Sequence, residues 1–423
     1  MKLLTINTGS SSLKAAVYDT AALDRPRLAV TIERIGHPDA TLQLSAGAGP
    51  AQRDEQHALP DHAAAVAALL DLLDRHGAAA DLAAIGHRIV HGGSRASAPQ
   101  PIDDELLATL RDLSPIVPEH LPQAIAAIEA TAAAYPAVPQ IACFDTAFHR
   151  RMPPVAQRLP LPRRLTDAGV IRYGFHGLSY EYIMAALRQE FPKEAAGRVV
   201  IAHLGNGSSM AAVAGGISIE TTMGFTPSGG LMMGTRAGDL DPGVLLHLLR
   251  VERLDAAALS RLINKESGLG GVSGTTGDMR ELLADERDDP RAAEAIALYC
   301  YTAKKALGAL AAALGGLDSV VFTGGIGERA APVRERICAG LDFLGIALDP
   351  RRNADNAAII SQDGAATTVR VIPTDEDAMI ARHTAALLAK QGGARCTIVS
   401  IPPSPAPSRR PRHRSYPRSP TGR

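Results

Sequence analysis

The sequence predicts an α/β fold of two domains, and three observations carry that expectation. Short apolar strands alternate with helical patterns along most of the chain. The alternation restarts near Arg198, and the two starts share a motif. With 423 residues there is room for two or three domains of roughly 100–200 residues each. Hydrophobic residues at 46% and charged residues at 21% describe a globular chain with an ample core.

The elements follow in order. A strand over 3–7 leads through a Gly/Ser turn into an alternating run over 13–19. Helical patterns occupy 61–76, 103–113 and 123–135, with short apolar strands at 84–90 and 140–144. Pro153, Pro154, Pro160 and Pro162 then break the pattern, and the passage between domains is expected there. The second cycle opens with a strand at 198–203, again followed by a glycine turn and another strand. Helices are expected over 242–251, 256–265 and 291–314. A strand at 319–323 runs into Gly324-Gly325, and a strand at 369–373 and a helix at 378–390 close the pattern.

The motif shared by the two starts is specific. Gly9-Ser10-Ser11-Ser12-Leu13-Lys14-Ala15-Ala16-Val17 lies over Gly205-Asn206-Gly207-Ser208-Ser209-Met210-Ala211-Ala212-Val213 without a gap. Chance similarity of small-residue turns is one explanation. The other is a duplicated domain, each half opening with a hairpin whose tight turn faces a shared cleft and brackets a phosphate chain.

Several function classes fall away. No apolar run approaches the ~18 residues of a spanning helix. The start lacks the apolar stretch of a signal peptide, so a cytoplasmic protein without a membrane segment is expected. Cys143, Cys300, Cys338 and Cys396 contain no CxxC spacing, which argues against a disulfide framework or a thiolate zinc site and fits reduced thiols. Residues 391–423 carry seven arginines and no acid, so the rest of the chain is mildly acidic despite a net charge of zero. A nucleic-acid partner is not expected. That tail also has seven prolines within 401–423 and should be a disordered basic extension, passive or contacting anionic surfaces.

Glycine-rich turns supply the first candidate site. Asn7-Thr8-Gly9-Ser10-Ser11-Ser12-Leu13-Lys14 exposes backbone N–H groups and hydroxyls with little bulk, which suits an anion nest, or else an ordinary polar hairpin. Lys14 supplies a point charge there, and the neutral oxygen of Asn7 suits magnesium or its waters. His203-Leu204-Gly205-Asn206-Gly207 is a second such turn, and Gly324-Gly325-Ile326-Gly327-Glu328 follows a third strand. Asp278-Met279-Arg280 ends a fourth glycine segment. None matches GxxxxGK[ST], so the expected phosphate site is not a P-loop.

Cations and acids follow. Arg88, in Gly86-His87-Arg88-Ile89-Val90, ends a strand beside glycines; Arg236 lies in a loop ahead of a helix. Arginine suits bidentate contact with carboxylate or phosphoryl oxygens, although arginine greatly outnumbers lysine here and each one alone is weak evidence. Asp145 follows a strand. His176, between Phe175 and Gly177, is placed to donate to a phosphoryl group or is a satisfied structural histidine. Glu376 reads as a helix-entry acid, with Thr374 as N-cap.

Taken together, the motifs resemble the acetate kinase family, within the sugar kinase, Hsp70 and actin superfamily of duplicated RNase-H-like domains. The resemblance runs in order through INTGSSSLK, GHRIVHGG, FDTAFH, YGFHGLSY, HLGNGSS, MGTRAGDLDPG, GVSGTTGDMR, FTGGIGE and IPTDEDAMIAR, over roughly residues 1–390. It implies a duplicated RNase-H-like α/β fold with a central cleft. Domain I would be 1–147 plus 378–390, domain II 148–377, with 391–423 outside.

The resemblance also implies roles. Asn7 and Glu376 would hold Mg2+ (or Mn2+); Arg88 and Arg236 would bind the carboxylate and the transferring group; His176 would stabilise that group, with Asp145 the essential acid. Ser10, Ser12 and Lys14 would line the phosphate side, while His203–Gly207, Asp278–Arg280 and Gly324–Glu328 would cradle ATP or ADP. Val90, Ile116, Phe175 and Pro227 would form a small acyl pocket for acetate or another short-chain carboxylate. A homodimer is implied by the resemblance alone.

Three departures stand out. Ile116-Val117-Pro118-Glu119-His120-Leu121-Pro122 occupies the place where the family commonly has Leu-His-Asn-Pro. Pro227-Ser228-Gly229-Gly230 replaces Pro-Leu-Glu-Gly, and Glu328-Arg329 replaces Glu-Asn. The first two put acyl-chain length in question, acetate against propionate, but not the reaction.

Overall fold

The computed structural model describes residues 1–47, 52–54 and 59–391. The expected disordered tail and Cys396 therefore lie outside the described residues.

Two sheets organise the molecule. The first contains β1 (Lys2–Thr8), β2 (Ser12–Asp19), β3 (Leu28–Glu33), β4 (Thr41–Ala46), β5 (Gln52–Asp54), β6 (Leu82–Ile89), β7 (Gln100–Pro101) and β8 (Gln140–Phe144). Its order is β5-β4-β3-β2-β1-β6-β8-β7. The second contains β9 (Arg198–Leu204), β10 (Ser208–Ala214), β11 (Ile217–Thr221), β12 (Ser319–Thr323) and β13 (Thr368–Val371), in the order β11-β10-β9-β12-β13.

One five-strand arrangement occurs twice. In the first sheet β3, β2 and β1 are antiparallel neighbours, and β6 and β8 extend β1 in parallel. In the second, β11, β10 and β9 are antiparallel, and β12 and β13 extend β9 in parallel. Duplication accounts for this; chance similarity of two turns does not. The gapless superposition fails by one residue at the turn. Thr8 pairs with Leu13 around a four-residue turn, whereas Leu204 pairs with Ser208 around only three.

Helices bury both sheets. The long helix Pro290–Leu314 covers one face of the second sheet through Ile296, Tyr299, Ala303 and Leu307. His62–Arg75 lays Val66, Leu69 and Leu73 on the first. The helix Gly177–Glu190 was not legible as one: it has no side-chain cap, and His176 precedes it in the left-handed conformation at φ 59°. Gly324–Arg329 is likewise a short helix and not an open glycine loop.

The last helix, Glu376–Gln391, returns from the second sheet to pack on β1 and β6 of the first. Gly86 permits this approach, since a Cβ there would lie 2.3 Å from Thr384 Oγ1 and 2.6 Å from Ile380 Cγ2. Its cap differs from expectation. Asp375 Oδ1 accepts from Ala378 N at 2.8 Å, while the Thr374 hydroxyl is buried without a partner. The carboxylate, a charged acceptor, wins the N-terminal N–H over the hydroxyl.

Candidate active site

The chemistry-bearing residues cluster because of strand direction. Asn7 is the penultimate residue of β1, Arg88 lies near the end of β6, and Asp145 follows β8; these are the carboxyl ends of three parallel strands. His203 and Gly324 stand at the corresponding ends of β9 and β12, and Glu376 follows β13. Open α/β sheets bind ligands at such ends, where strand direction and topology leave a crevice.

Arg88 is held from several sides. Its Nε lies 3.1 Å from both Asp145 oxygens, Nη2 donates to Oδ2 at 2.6 Å, and Nη1 donates to Asn7 Oδ1 at 3.1 Å. Asn7 Nδ2 donates in turn to Glu376 Oε2 at 3.0 Å, which also lies 3.8 Å from Arg88 Nε. Asp145 is fully buried. Burial pushes its carboxyl up to about 6 against the pull of Arg88, with Glu376 adding to the rise. Burial also opposes ionisation of Glu376, but Arg88, His203 and the Asn7 hydrogen bond together hold it below its ordinary value.

Arg236 sits differently. Nη1 donates to the Pro227 carbonyl at 3.0 Å, and Nη2 is 3.4 Å from His120 Nε2. Burial and the nearby Arg88 pull its pKa down to about 10, with Glu119 opposing. It remains a cation at neutral pH. His120 is pushed down to about 3 by burial, Arg236 and Arg88, so the imidazole is neutral.

His176 is fixed by its backbone and by a relay. Gly177 N donates to Asp145 O at 2.9 Å, and a Cβ on Gly177 would lie 2.1 Å from that oxygen. Only glycine admits this approach, which sets the left-handed His176 beside the Arg88–Asp145 pair. His176 Nδ1 is 2.8 Å from Ser209 Oγ, and Ser209 also bonds Tyr180. The ring stacks on His203 at 4.3 Å between centroids, and His203 Nδ1 is 2.8 Å from Ser179 Oγ. Burial first, then His203 and the two arginines, keep the pKa of His176 well below 6.5.

The remaining expected residues divide into groups. Ser10 and Lys14 are exposed around the first turn, and Ser12 is half-buried, its backbone oxygen accepting from Gly9 N at 2.8 Å. Gly205 and Gly207 form the second turn; a Cβ on Gly207 would lie 3.2 Å from His176 Nε2, and Asn206 is exposed. Gly324 adopts φ 76° against the Leu204 backbone, and Gly325 has open space beside it. Leu204 and Met279 point into the core and Ile326 packs against it, so they offer only backbone to a ligand. Gly327 is buried. Glu328 Oε1 accepts from Gly324 N at 2.9 Å and Thr374 N at 3.2 Å, tying two loops together. Asp278 caps the next helix and pairs at 2.6 Å with the exposed Arg280.

A cavity of about 530 Å³ opens beside Arg236. Ile116, Pro227, His120, Asn206 and Ser10 line it, but Val90 and Phe175 do not. Those two pack with Tyr173, Met223 and Met233 in an apolar cluster. Sequence reasoning passed over His120, Ser209, Tyr180 and Ser179. Only His120 carried a signal, a histidine between prolines in a departing stretch.

Two oxygen donors, Asn7 Oδ1 and the Glu376 carboxylate, lie in one hydrogen-bonded group. No group of three or more His, Cys, Asp or Glu converges as a metal cage among the described residues. That donor set suits a hard cation such as Mg2+, which takes one or two protein oxygens and completes its shell with waters and substrate phosphates.

Comparison with known proteins agrees with this arrangement. The profile of the Acetokinase family matches residues 2–382. The acetate kinase of Methylocella silvestris is 45% identical over 402 residues, covering 93% of this chain and 99% of its own length. The crystal structure of Porphyromonas gingivalis acetate kinase has a TM-score of 0.81 at 38% identity, covering 92% of this chain and 99% of that one. A propionate kinase from Francisella tularensis has a TM-score of 0.84 at 32% identity, with coverages of 90% and 98%. The duplicated RNase-H-like fold, of the actin, Hsp70 and sugar-kinase type, is thereby borne out. Twin sheets, a cleft at the ends of their parallel strands and sequence likeness over nearly the full length converge, and the chain belongs to the acetokinase family.

Proposed function

We propose that this chain is an ATP-dependent carboxylate kinase, converting acetate and ATP reversibly into acetyl phosphate and ADP by direct in-line attack of the carboxylate. The observation that carries this reading is Arg236, a half-buried cation without an ion-pair partner within 4 Å among the described residues, at the rim of the cavity. A carboxylate with an ordinary pKa near 4 is already a nucleophile at neutral pH, so no strong base is required. The obstacle is repulsion between two anions, and catalysis rests on positioning and charge.

Each residue has a part in that scheme. Arg236 receives the acceptor carboxylate and the transferring group, with neutral His120 beside it. Arg88, already neutralised by Asp145, fixes the geometry and turns one edge toward the phosphoryl oxygens. With Tyr180 donating to Ser209 and Ser209 to Nδ1, His176 carries its proton on Nε2 and donates it as a hydrogen bond to the phosphoryl group. The nucleotide phosphates lie between the turns 9–12 and 205–207, with open Gly325 facing them. Asn7 and Glu376 would hold Mg2+ or Mn2+, which supplies charge neutralisation on the phosphates when bound.

The proposal extends to organisation. The division at 147/148, with the last helix returned to the first domain, allows the cleft to close and exclude water. A cytoplasmic location and a homodimer complete the reading. The exposed Val244, Leu246, Leu249 and Val251 on and after the helix Pro242–Arg250 support a self-association face.

A second reading, propionate as the preferred acceptor, is favoured by the cavity volume and by the departures at Glu119 and Ser228 that line it. Hydroxylamine trapping of acyl phosphate with two- to four-carbon acids at saturating Mg-ATP separates the two. ATP binding without carboxylate-dependent ADP formation would overturn both.

A further inference from the structure

Two of the sequence departures meet at one place in the fold. The His and Pro of the family's Leu-His-Asn-Pro fall on His120 and Pro122, so Glu119 stands at its leucine. Pro-Leu-Glu-Gly on Pro227-Ser228-Gly229-Gly230 likewise puts Ser228 at a leucine. Both residues line the cavity beside Arg236, and both bond the last turn of the helix Ala256–Lys265. Glu119 Oε2 is 2.8 Å from Lys265 Nζ, and Ser228 Oγ donates to Asn264 Oδ1. Asn264 O also accepts from Thr235 Oγ1 at 2.9 Å.

The consequence is chemical. Two leucines would make the far wall apolar, and such a wall strips water from any polar substituent without replacing its hydrogen bonds. Here the same wall presents a carboxylate, an ammonium, a hydroxyl and an amide, all lining the cavity. Glu119 as an isolated anion would repel an incoming carboxylate; paired with Lys265 it does not. The cavity of about 530 Å³ runs from the turns at Ser10 and Asn206 to this polar wall, so the wall lies beyond the end that faces the phosphates.

We propose that Glu119, Lys265, Ser228 and Asn264 form a polar acceptor subsite that admits short carboxylates bearing a hydroxyl group away from the reacting carboxylate. This rests on the kinase reading above and adds the substrate class its cavity selects. Arg236 anchors the carboxylate at one end, and the polar wall at the other offers partners to the hydroxyl, which donates once and accepts at most twice. The interaction is wet and partly exposed, so it broadens acceptance more than it tightens binding.

The test compares propionate with 3-hydroxypropionate in the hydroxylamine assay, on the full chain. The wild-type kcat/KM for the hydroxy acid should lie within about threefold of that for propionate, because its hydroxyl keeps its hydrogen bonds. The triple variant Glu119→Leu, Lys265→Met, Ser228→Leu should lower the hydroxy-to-plain ratio about tenfold or more, by leaving that hydroxyl unpaired. Ser228→Ala alone changes no charge, and should lower the ratio about two- to fivefold even if the triple variant folds poorly. Rejection of 3-hydroxypropionate by more than about tenfold in the wild type overturns the proposal, as does a ratio unmoved by Ser228→Ala. Absence of ADP formation with every acid, acetate included, would instead remove the kinase reading beneath it.

Discussion

Arg88, on β6, and Arg236, in the loop ahead of the helix Pro242–Arg250, look interchangeable as a pair of guanidinium groups, yet their surroundings differ in kind. Arg88 is clamped by the buried Asp145 and by Asn7. Among the described residues, Arg236 has a carbonyl, a thioether sulfur and a neutral imidazole as hydrogen-bond partners, and no carboxylate. The positive charge of the first is spent inside the protein, whereas that of the second is left for a ligand. A partly desolvated cation without a counter-charge costs stability, so the half-buried Arg236 is the signature of a site that waits for an anion.

Substitution should separate the two most sharply. Arg88→Ala abandons Asp145 as a buried charge, and about 3–5 kcal/mol of stability should go with it. Activity would be lost as well, and Arg88→Met combined with Asp145→Asn should regain much of the stability in denaturant titrations but no turnover. Arg236→Ala should cost about 3–4 kcal/mol in kcat/KM while the melting temperature holds or rises. If both arginines destabilise the fold equally when removed, the contrast between them is wrong.

The pH dependence sharpens the same comparison. The Asp145 carboxyl sits at about 6 in the folded protein, above the ~3.9 of an unfolded chain. As pH falls through 6, the folded state takes up this proton first, so the group favours folding while its ion pair with Arg88 is lost. Activity should therefore decline below about pH 6 without unfolding, and Asp145→Asn should show no such limb. His176 is held well below its ordinary value by burial and neighbouring cations, and His120 is pushed down to about 3, so the limb near pH 6 is assigned to Asp145. A titrating limb that survives in Asp145→Asn and vanishes in a His176 variant would reverse the assignment. The smallest effect concerns the relay: Ser209→Ala should cost about 1 kcal/mol in turnover, through loosened orientation of His176.

Much of this was legible in the sequence, for a physical reason. Glycine turns after apolar strands are local features, so Gly9 and Gly205 could be placed on turns, and Asn7 and Gly324 at strand ends, before any contact was known. The duplicated hairpins, the strands that carry Arg88 and Asp145, and the returning final helix were read for the same reason. Ser209 was not legible, because nothing local marks a serine in a strand as facing a cleft, and the histidine between prolines at 120 was a signal without a direction. Glu328 has a part the sequence did not reveal: its carboxylate accepts backbone N–H groups from residues 324 and 374, a contact spanning two loops far apart in sequence.

By itself, then, the sequence determined the α/β alternation, the duplication and the inventory of polar groups at the strand ends, since periodicity and turn chemistry act over a few residues. Only the tertiary structure decided which arginine is neutralised, which histidine is tied to Ser209, and which wall of the cavity is polar. Those properties depend on burial and on partners up to 369 residues apart, as between Asn7 and Glu376, and no local pattern encodes a distance of that kind.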